Sequence, residues 1–177
     1  MSSFNPWLIL PVAAIVQPAF ATEYLTIPQA QQALFAEASA FQKHFLHFSD
    51  EDKDRIEEVS DVRQRWDEQQ VWRAEKDGQF LGWFLVDKVI GKHEYITYAA
   101  AISPEGDVIG IEIMDYRETY GDEVREASWR EQFVGADAAS RLKFNKDITN
   151  IAGATLSCRN VTNGVKRLLV IHSQHLK

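Results

Sequence analysis

Cysteine is nearly absent from this 177-residue chain: Cys158 stands alone, so no internal disulfide can staple the fold. There is no Cys-x-x-Cys-His, which excludes covalent c-type haem. There is no Gly-x-Gly-x-x-Gly either, which removes the usual dinucleotide-binding fingerprint and with it the idea of a self-sufficient reductase. Positive charge is in deficit, 19 Lys and Arg against 26 Asp and Glu for a net charge of −7. A broad nucleic-acid surface needs clustered cations, so no nucleic-acid partner is expected. Internal repeats and low-complexity tracts are missing. Long apolar runs are missing too: Leu8 to Val16 falls well short of the ~20 residues of a membrane-spanning helix.

Residues 1–21 contain no Asp, Glu, Lys or Arg, and Ala19-Phe20-Ala21 fits the small-x-small pattern of a signal-peptidase site. This stretch reads as a signal peptide cut after Ala21, although its n-region carries no cation beyond the terminal amine. The expectation is an exported, periplasmic protein.

After the signal, Ile27-Pro28 followed by Gln29 to Phe41, rich in Ala, Gln and Glu, predicts a helix with Pro in its first turn. Ser49 with Asp52 three residues on predicts a capped second helix over Asp50 to Val59, whose acidic residues form a solvated face. The period then changes. Val71–Glu75, Gln79–Val86, Tyr95–Ile102 and Val108–Met114 are β-branched and aromatic runs. Asp77-Gly78 and Pro104-Glu105-Gly106-Asp107 mark turns between them. Four successive strands with short turns predict an antiparallel meander. Helical pattern returns over Asp122–Phe133, then in a short Ala136–Leu142 segment, then in a C-terminal helix from Val161 to Ile171. The fold class is therefore α+β, an antiparallel sheet meander flanked by helices. The divisions are 1–21 signal peptide, 22–69 N-terminal helical segment and 70–177 a single ligand-binding domain.

The C-terminal helix carries its apolar face at Val161, Val165, Leu168 and Leu169, with Gly164 permitting close packing and Lys166 and Arg167 on the far side. Ahead of it lies Asn150-Ile151-Ala152-Gly153-Ala154-Thr155-Leu156-Ser157. A helix start presents unpaired N–H groups and a positive dipole end, which suit a phosphate. Gly153 and Ala154 let such a group approach the backbone, and Thr155 supplies a hydroxyl. A capped helix packed through small residues is the plainer reading of the same segment. Two further signals are Tyr116-Arg117-Glu118-Thr119-Tyr120-Gly121, a polar turn past the last strand, and Gly91-Lys92-His93-Glu94-Tyr95, leading into the third.

Taken in order, these segments resemble the FMN-binding domain family, which includes the periplasmic flavinylated subunits of the Rnf and sodium-pumping NADH:quinone oxidoreductase complexes. The features shared are the Gly-containing approach to a strand, the acidic-Gly hairpin at Pro104–Asp107 and the Glu118-Thr119-Tyr120-Gly121 turn. Gln132-Phe133-Val134-Gly135 and Gly153-Ala154-Thr155 complete the pattern. The resemblance covers about residues 70–171. It implies FMN joined by a phosphoester to Thr155, with Gly153, Ala154, Leu156 and Ser157 around the phosphate and Arg159 available to neutralise it. It also implies that the Glu118-Thr119 turn meets the ring edge. A flavin transferase using FAD would install the group, and a membrane redox partner or cytochrome would exchange electrons with it. The chain departs from the attachment motif at Thr149, where the family has Asp, and at Ala152, where it has Ser or Thr.

Two other classes stay open. One is a binding or structural module of the same fold without flavin. The other is a metal-binding periplasmic protein, since His44/His47 and His172/His175 both repeat at i, i+3, although neither pair has a carboxylate or Cys beside it at ligand spacing. Cys158 reads as a small core residue.

Overall fold

A computed structural model describes residues 22–177, and the expected signal peptide lies outside them. Six strands form one sheet: β1 (Thr22–Glu23), β2 (Ala40–His47), β3 (Glu68–Lys76), β4 (Gln79–Ile90), β5 (Tyr95–Ile102) and β6 (Val108–Tyr116). Their spatial order is β1-β6-β5-β4-β3-β2, and every neighbouring pair is antiparallel. The meander expected from the four runs is thus present as β3 to β6. The helices are α1 (Ile27–Leu34), α2 (Asp50–Ser60), α3 (Ala127–Arg130, between two short 3₁₀ turns) and α4 (Thr155–His175).

The central strand β5 is buried on both sides, which is why its sequence reads as a continuous apolar run rather than an alternation. Ile96, Tyr98, Ala100 and Ile102 join Val161, Val165, Leu168 and Leu169 of α4 in the larger core. Ala99 and Ala101 face the opposite way, into a smaller core with Ala30, Phe35, Trp72 and Phe84 under α1. Each large apolar side chain of α4 removed from water contributes ~1.5–3 kcal/mol, so the helix is fixed by its face. Gly164 is where it comes closest: a Cβ there would collide with the Tyr98 hydroxyl oxygen. At α2 the expected cap is in place, with Asp52 N–H donating to Ser49 Oγ at 3.2 Å and Ser49 N–H donating to Asp52 Oδ2 at 3.0 Å.

Three expectations need correction. The helix predicted over Gln29–Phe41 stops at Leu34, and Ala40–His47 is a strand. Helical propensity carries α1 through its first turns, but pairing of Ala40–His47 with Glu68–Glu75 outweighs a propensity of only tenths of a kcal/mol per residue. The short helix predicted over Ala136–Leu142 is a chain of turns, because the Asp137 carboxylate accepts from Ala139 N–H at 3.1 Å and Ser140 Oγ at 2.7 Å. Such local side-chain bonds compete with the helix. Finally, Arg167 does not lie on the solvent side of α4. It is 4 % exposed and its Nη2 donates to Asp87 Oδ2 at 2.6 Å. Asp87 itself occupies the inward face of β4 between buried Leu85 and Val89.

Candidate functional site

The register of the sheet brings three separate segments to one end. β4 and β5 pair through Ile90 and Tyr95, and β5 and β6 pair through Ile96 and Tyr116. The 91–94 hairpin loop and the 117–121 turn therefore emerge side by side, and α4 starts against them. Between them lies a cavity of about 340 Å³ lined by Lys92, His93, Glu118–Tyr120 and Gly153–Ser157. That size falls in the ~300–1,000 Å³ range of small-molecule sites. Seven of the eight residues that the sequence pattern singled out, all except Arg159, thus line one hollow.

The turn is locked from below. Tyr116 Oη donates to the Tyr120 carbonyl at 2.6 Å and lies 3.1 Å from Ser157 Oγ, tying the turn to α4. Burial holds the Tyr116 phenol above its ordinary value, an effect that the Ser157 hydrogen bond opposes and the nearby Glu118 charge reinforces. Gly121 sits at φ +91° with no room for a side chain, since a Cβ would overlap that of Ala154. That contact sets how near the turn comes to the helix start.

Glu118 holds the other wall in place. Its Oε1 accepts from the N–H groups of His93 at 2.6 Å and Glu94 at 3.0 Å. A Cβ at Gly91 would collide with that same oxygen, so the glycine is required for the carboxylate to reach the loop. Partial burial pushes the Glu118 carboxyl up, but hydrogen bonds from the Glu94, His93 and Lys92 backbones together with the His93 charge pull it net below its usual value. Its side chain therefore serves the 91–94 loop, and the turn's backbone is what remains to face a ligand.

At the helix start Gly153 takes φ +86° with nothing within 4 Å of where a Cβ would be. Ala154 N–H donates to the Ile151 carbonyl at 3.0 Å and Cys158 N–H to the Ala154 carbonyl at 2.9 Å. The N–H groups of Thr155, Leu156 and Ser157 lie ahead of the helical ladder, where donors are left for a ligand. Thr155 is half-buried, Leu156 is exposed and Ser157 is buried. The preceding loop is braced by Trp129, whose Nε1–H donates to the Thr149 carbonyl at 2.9 Å, and by Gln132, whose Oε1 accepts from Thr149 N–H at 2.8 Å. Thr149 and Ala152, the two departures from the family pattern, are both exposed. Asp147 is engaged in its own turn, accepting from Lys143 N–H at 2.8 Å.

Arg159 lies outside the hollow, its guanidinium 5.3 Å from the centre of the Phe144 ring. The cation in the lining is Lys92, whose place depended on the strand register. Cys158 is fully buried, and that burial pushes its thiol up, which leaves no reactive thiolate. No group of three or more His, Cys, Asp and Glu suited to a metal occurs among the described residues. His44 and His47 sit on β2, while His172 and His175 lie on α4. No helix among the described residues is long and apolar enough to cross a membrane.

Comparison with known proteins agrees with this geometry. Residues 91–170 match the FMN-binding domain, a span that contains every residue of the cavity lining. That segment belongs to the FMN-binding domain family. Among solved structures, NqrC of Shewanella oneidensis is similar over 76% of this chain and 80% of its own, with 18% identity and a TM-score of 0.53. The corresponding component of the Na⁺-translocating NADH-quinone reductase of Parabacteroides distasonis is similar over 81% and 84%, with 13% identity and a TM-score of 0.48. The first likeness is one of fold. No curated protein sequence matches the chain.

Proposed function

We propose that this chain is an exported electron carrier whose FMN is joined by a phosphoester to Thr155. The observation that carries the reading is the FMN-binding domain match over residues 91–170, with Thr155 at the mouth of the cavity formed by the loops of that domain. The residues present suit the group. Open backbone at Gly153 and the free N–H groups of Thr155 to Ser157 take the phosphate at a helix start, and Lys92 rather than Arg159 balances its charge. The exposed side chains of Tyr120 and Leu156 offer apolar contact for a ring, and the backbone of Glu118-Thr119 offers polar groups to its edge.

FMN supplies one- and two-electron redox chemistry when bound. The chain's own part is to position it. Tyr116 keeps its proton and holds the Tyr120 carbonyl, Glu118 keeps its charge on the 91–94 loop, and the rigid α4 fixes the Thr155 oxygen. No side-chain acid or base is required to pass electrons, so a catalytic triad has no role here.

Attachment follows from export of the chain through residues 1–21 and from a flavin transferase. In that step the pyrophosphate bond of FAD breaks and a bond forms between Thr155 Oγ1 and the FMN phosphorus. AMP leaves, carrying the hydroxyl proton. Electrons then exchange with a membrane redox partner or cytochrome, a role in keeping with the resemblance to the periplasmic flavinylated components of membrane redox complexes. The surface positions of Thr149 and Ala152 bear on recognition by the transferase and leave the cavity lining intact.

The test is co-expression with a flavin transferase in an exporting host. The expected product absorbs near ~450 nm, the flavin band, and gains the mass of one FMN less one water. Thr155→Ala abolishes the gain. Colourless protein of unshifted mass would establish instead the flavin-free module of the same fold. Covalent flavin retained in Thr155→Ala would move the tether to Ser157 or Cys158, both of which are buried.

A further inference from the structure

A second concavity, of about 440 Å³, lies along another face of α4, between the 61–66 loop, the end of β4, Tyr95 and the helix at Asn160 to Arg167. Its charge runs against that of the chain. Arg63, Arg65, Lys88 and Arg167 line it against a single acidic residue, Asp61, in a protein of net charge −7. Arg167 is neutralised by Asp87. Arg63, Arg65 and Lys88 are exposed and form no ion pair among the described residues. Like charges gathered without counter-charges repel one another, and a bound anion relieves that repulsion.

The groove is built from below. Arg167 Nη1 donates to the Arg63 carbonyl at 3.0 Å, so the buried guanidinium pins the loop that presents Arg63 and Arg65, while its Nε, also buried, has no partner. Gln64 Nε2 donates to the Trp66 carbonyl at 2.8 Å, and Asn160 Nδ2 donates to the Ile90 carbonyl at 2.7 Å. Two aromatic rings complete the rim: Trp66 and Tyr95 are 38% and 52% exposed, with centroids 6.3 Å apart and planes inclined at 52°. A half-exposed aromatic pair beside unpaired guanidinium groups suits a flat ring that stacks and an anionic group that accepts forked hydrogen bonds.

We propose that this groove is a second ligand site, separate from the cavity at Thr155, for a planar aromatic ring bearing a phosphate or a carboxylate. It involves no bond making. The 61–66 loop lies outside the segment matched to the FMN-binding domain, so the site is an addition of the N-terminal part of the chain.

The test uses flavin-free Thr155→Ala protein, so that its outcome is independent of the FMN reading, and isothermal calorimetry with two probes. AMP carries a ring with a phosphate, and 1-hydroxy-2-naphthoate a ring with a carboxylate. At least one probe is expected to bind with a Kd below about 1 mM, and which one binds identifies the anionic group. Its separate halves, adenosine with inorganic phosphate or 2-naphthol with acetate, should bind at least ~10-fold more weakly. The Arg63→Ala/Arg65→Ala double variant and Trp66→Ala should each lose at least ~10-fold, and Lys146→Ala, exposed on the 143–148 turn, should lose nothing. Failure of both probes overturns the proposal. So does equal binding of an isolated half, or binding that survives the arginine and tryptophan variants.

Discussion

Replacing Asp87 by Asn is the sharpest probe of how α4 is held. The change keeps side-chain volume and removes one charge. In the native protein Asp87 Oδ2 accepts from Arg167 Nη2 at 2.6 Å and from Tyr98 Oη at 2.7 Å. The two ionic side chains are 2% and 5% exposed, so water cannot take over when the pair is broken. Removing one member of such a buried pair costs about 3–5 kcal/mol, because the surviving charge is left without compensation. At ~2–4 °C per kcal/mol for a chain of this length, Tm should fall by ~6–20 °C. Adding Arg167→Met to Asp87→Asn removes the stranded charge. The double variant should recover most of the loss, with a coupling of about 2 kcal/mol in a double-mutant cycle. Urea unfolding at unchanged m is the assay. A loss below about 1 kcal/mol for Asp87→Asn, or costs that merely add in the double variant, would refute the view that this pair locks the helix to the sheet.

Three further outcomes follow from the same geometry. Gly121→Ala forces a side chain into Ala154 at a left-handed backbone position, and should cost ~1–3 kcal/mol of stability while displacing the start of α4, read by loss of amide protection at Cys158. Glu118→Gln weakens the bonds to His93 and Glu94, whose amides should exchange faster. The native carboxyl is held below 4.5, so it stabilises the fold at higher pH and that contribution is lost as pH falls through its lowered value; the variant should lack this limb of the acid-unfolding curve. His172 is held below 6.5, first by burial and then by the Lys177 charge. Its neutral form is the one that fits, so stability is full above 6.5 and declines as pH falls through the lowered value. His172→Gln should flatten that decline in denaturation curves recorded from neutral to mildly acidic pH, and an unchanged slope would show that another group is responsible.

Much of the domain was legible because its signals are local. The β3–β6 meander rests on β-branched runs separated by Gly-containing turns, and the Ser49 cap needs only residues three apart. The inward face of α4 follows from its helical spacing alone. β2 was not legible, since its composition favours helix and its strand state depends on a partner well further along the chain, as in Ala40 against Glu75 and His47 against Glu68. The same holds for Arg167. A cation near a helix C-terminus looks like a surface residue until the sheet places Asp87 beneath it.

At the site the division is similar. The small-residue helix start with Thr155, the Glu118 turn and the family to which they point are properties of the sequence, because a few backbone conformations and one hydroxyl define them. That Glu118 spends its carboxylate on the 91–94 loop, and that Lys92 rather than Arg159 faces the hollow, was decided by the sheet register and by the close contact of Gly121 with Ala154. Those are distances between segments far apart in the chain, and local pattern carries no record of them.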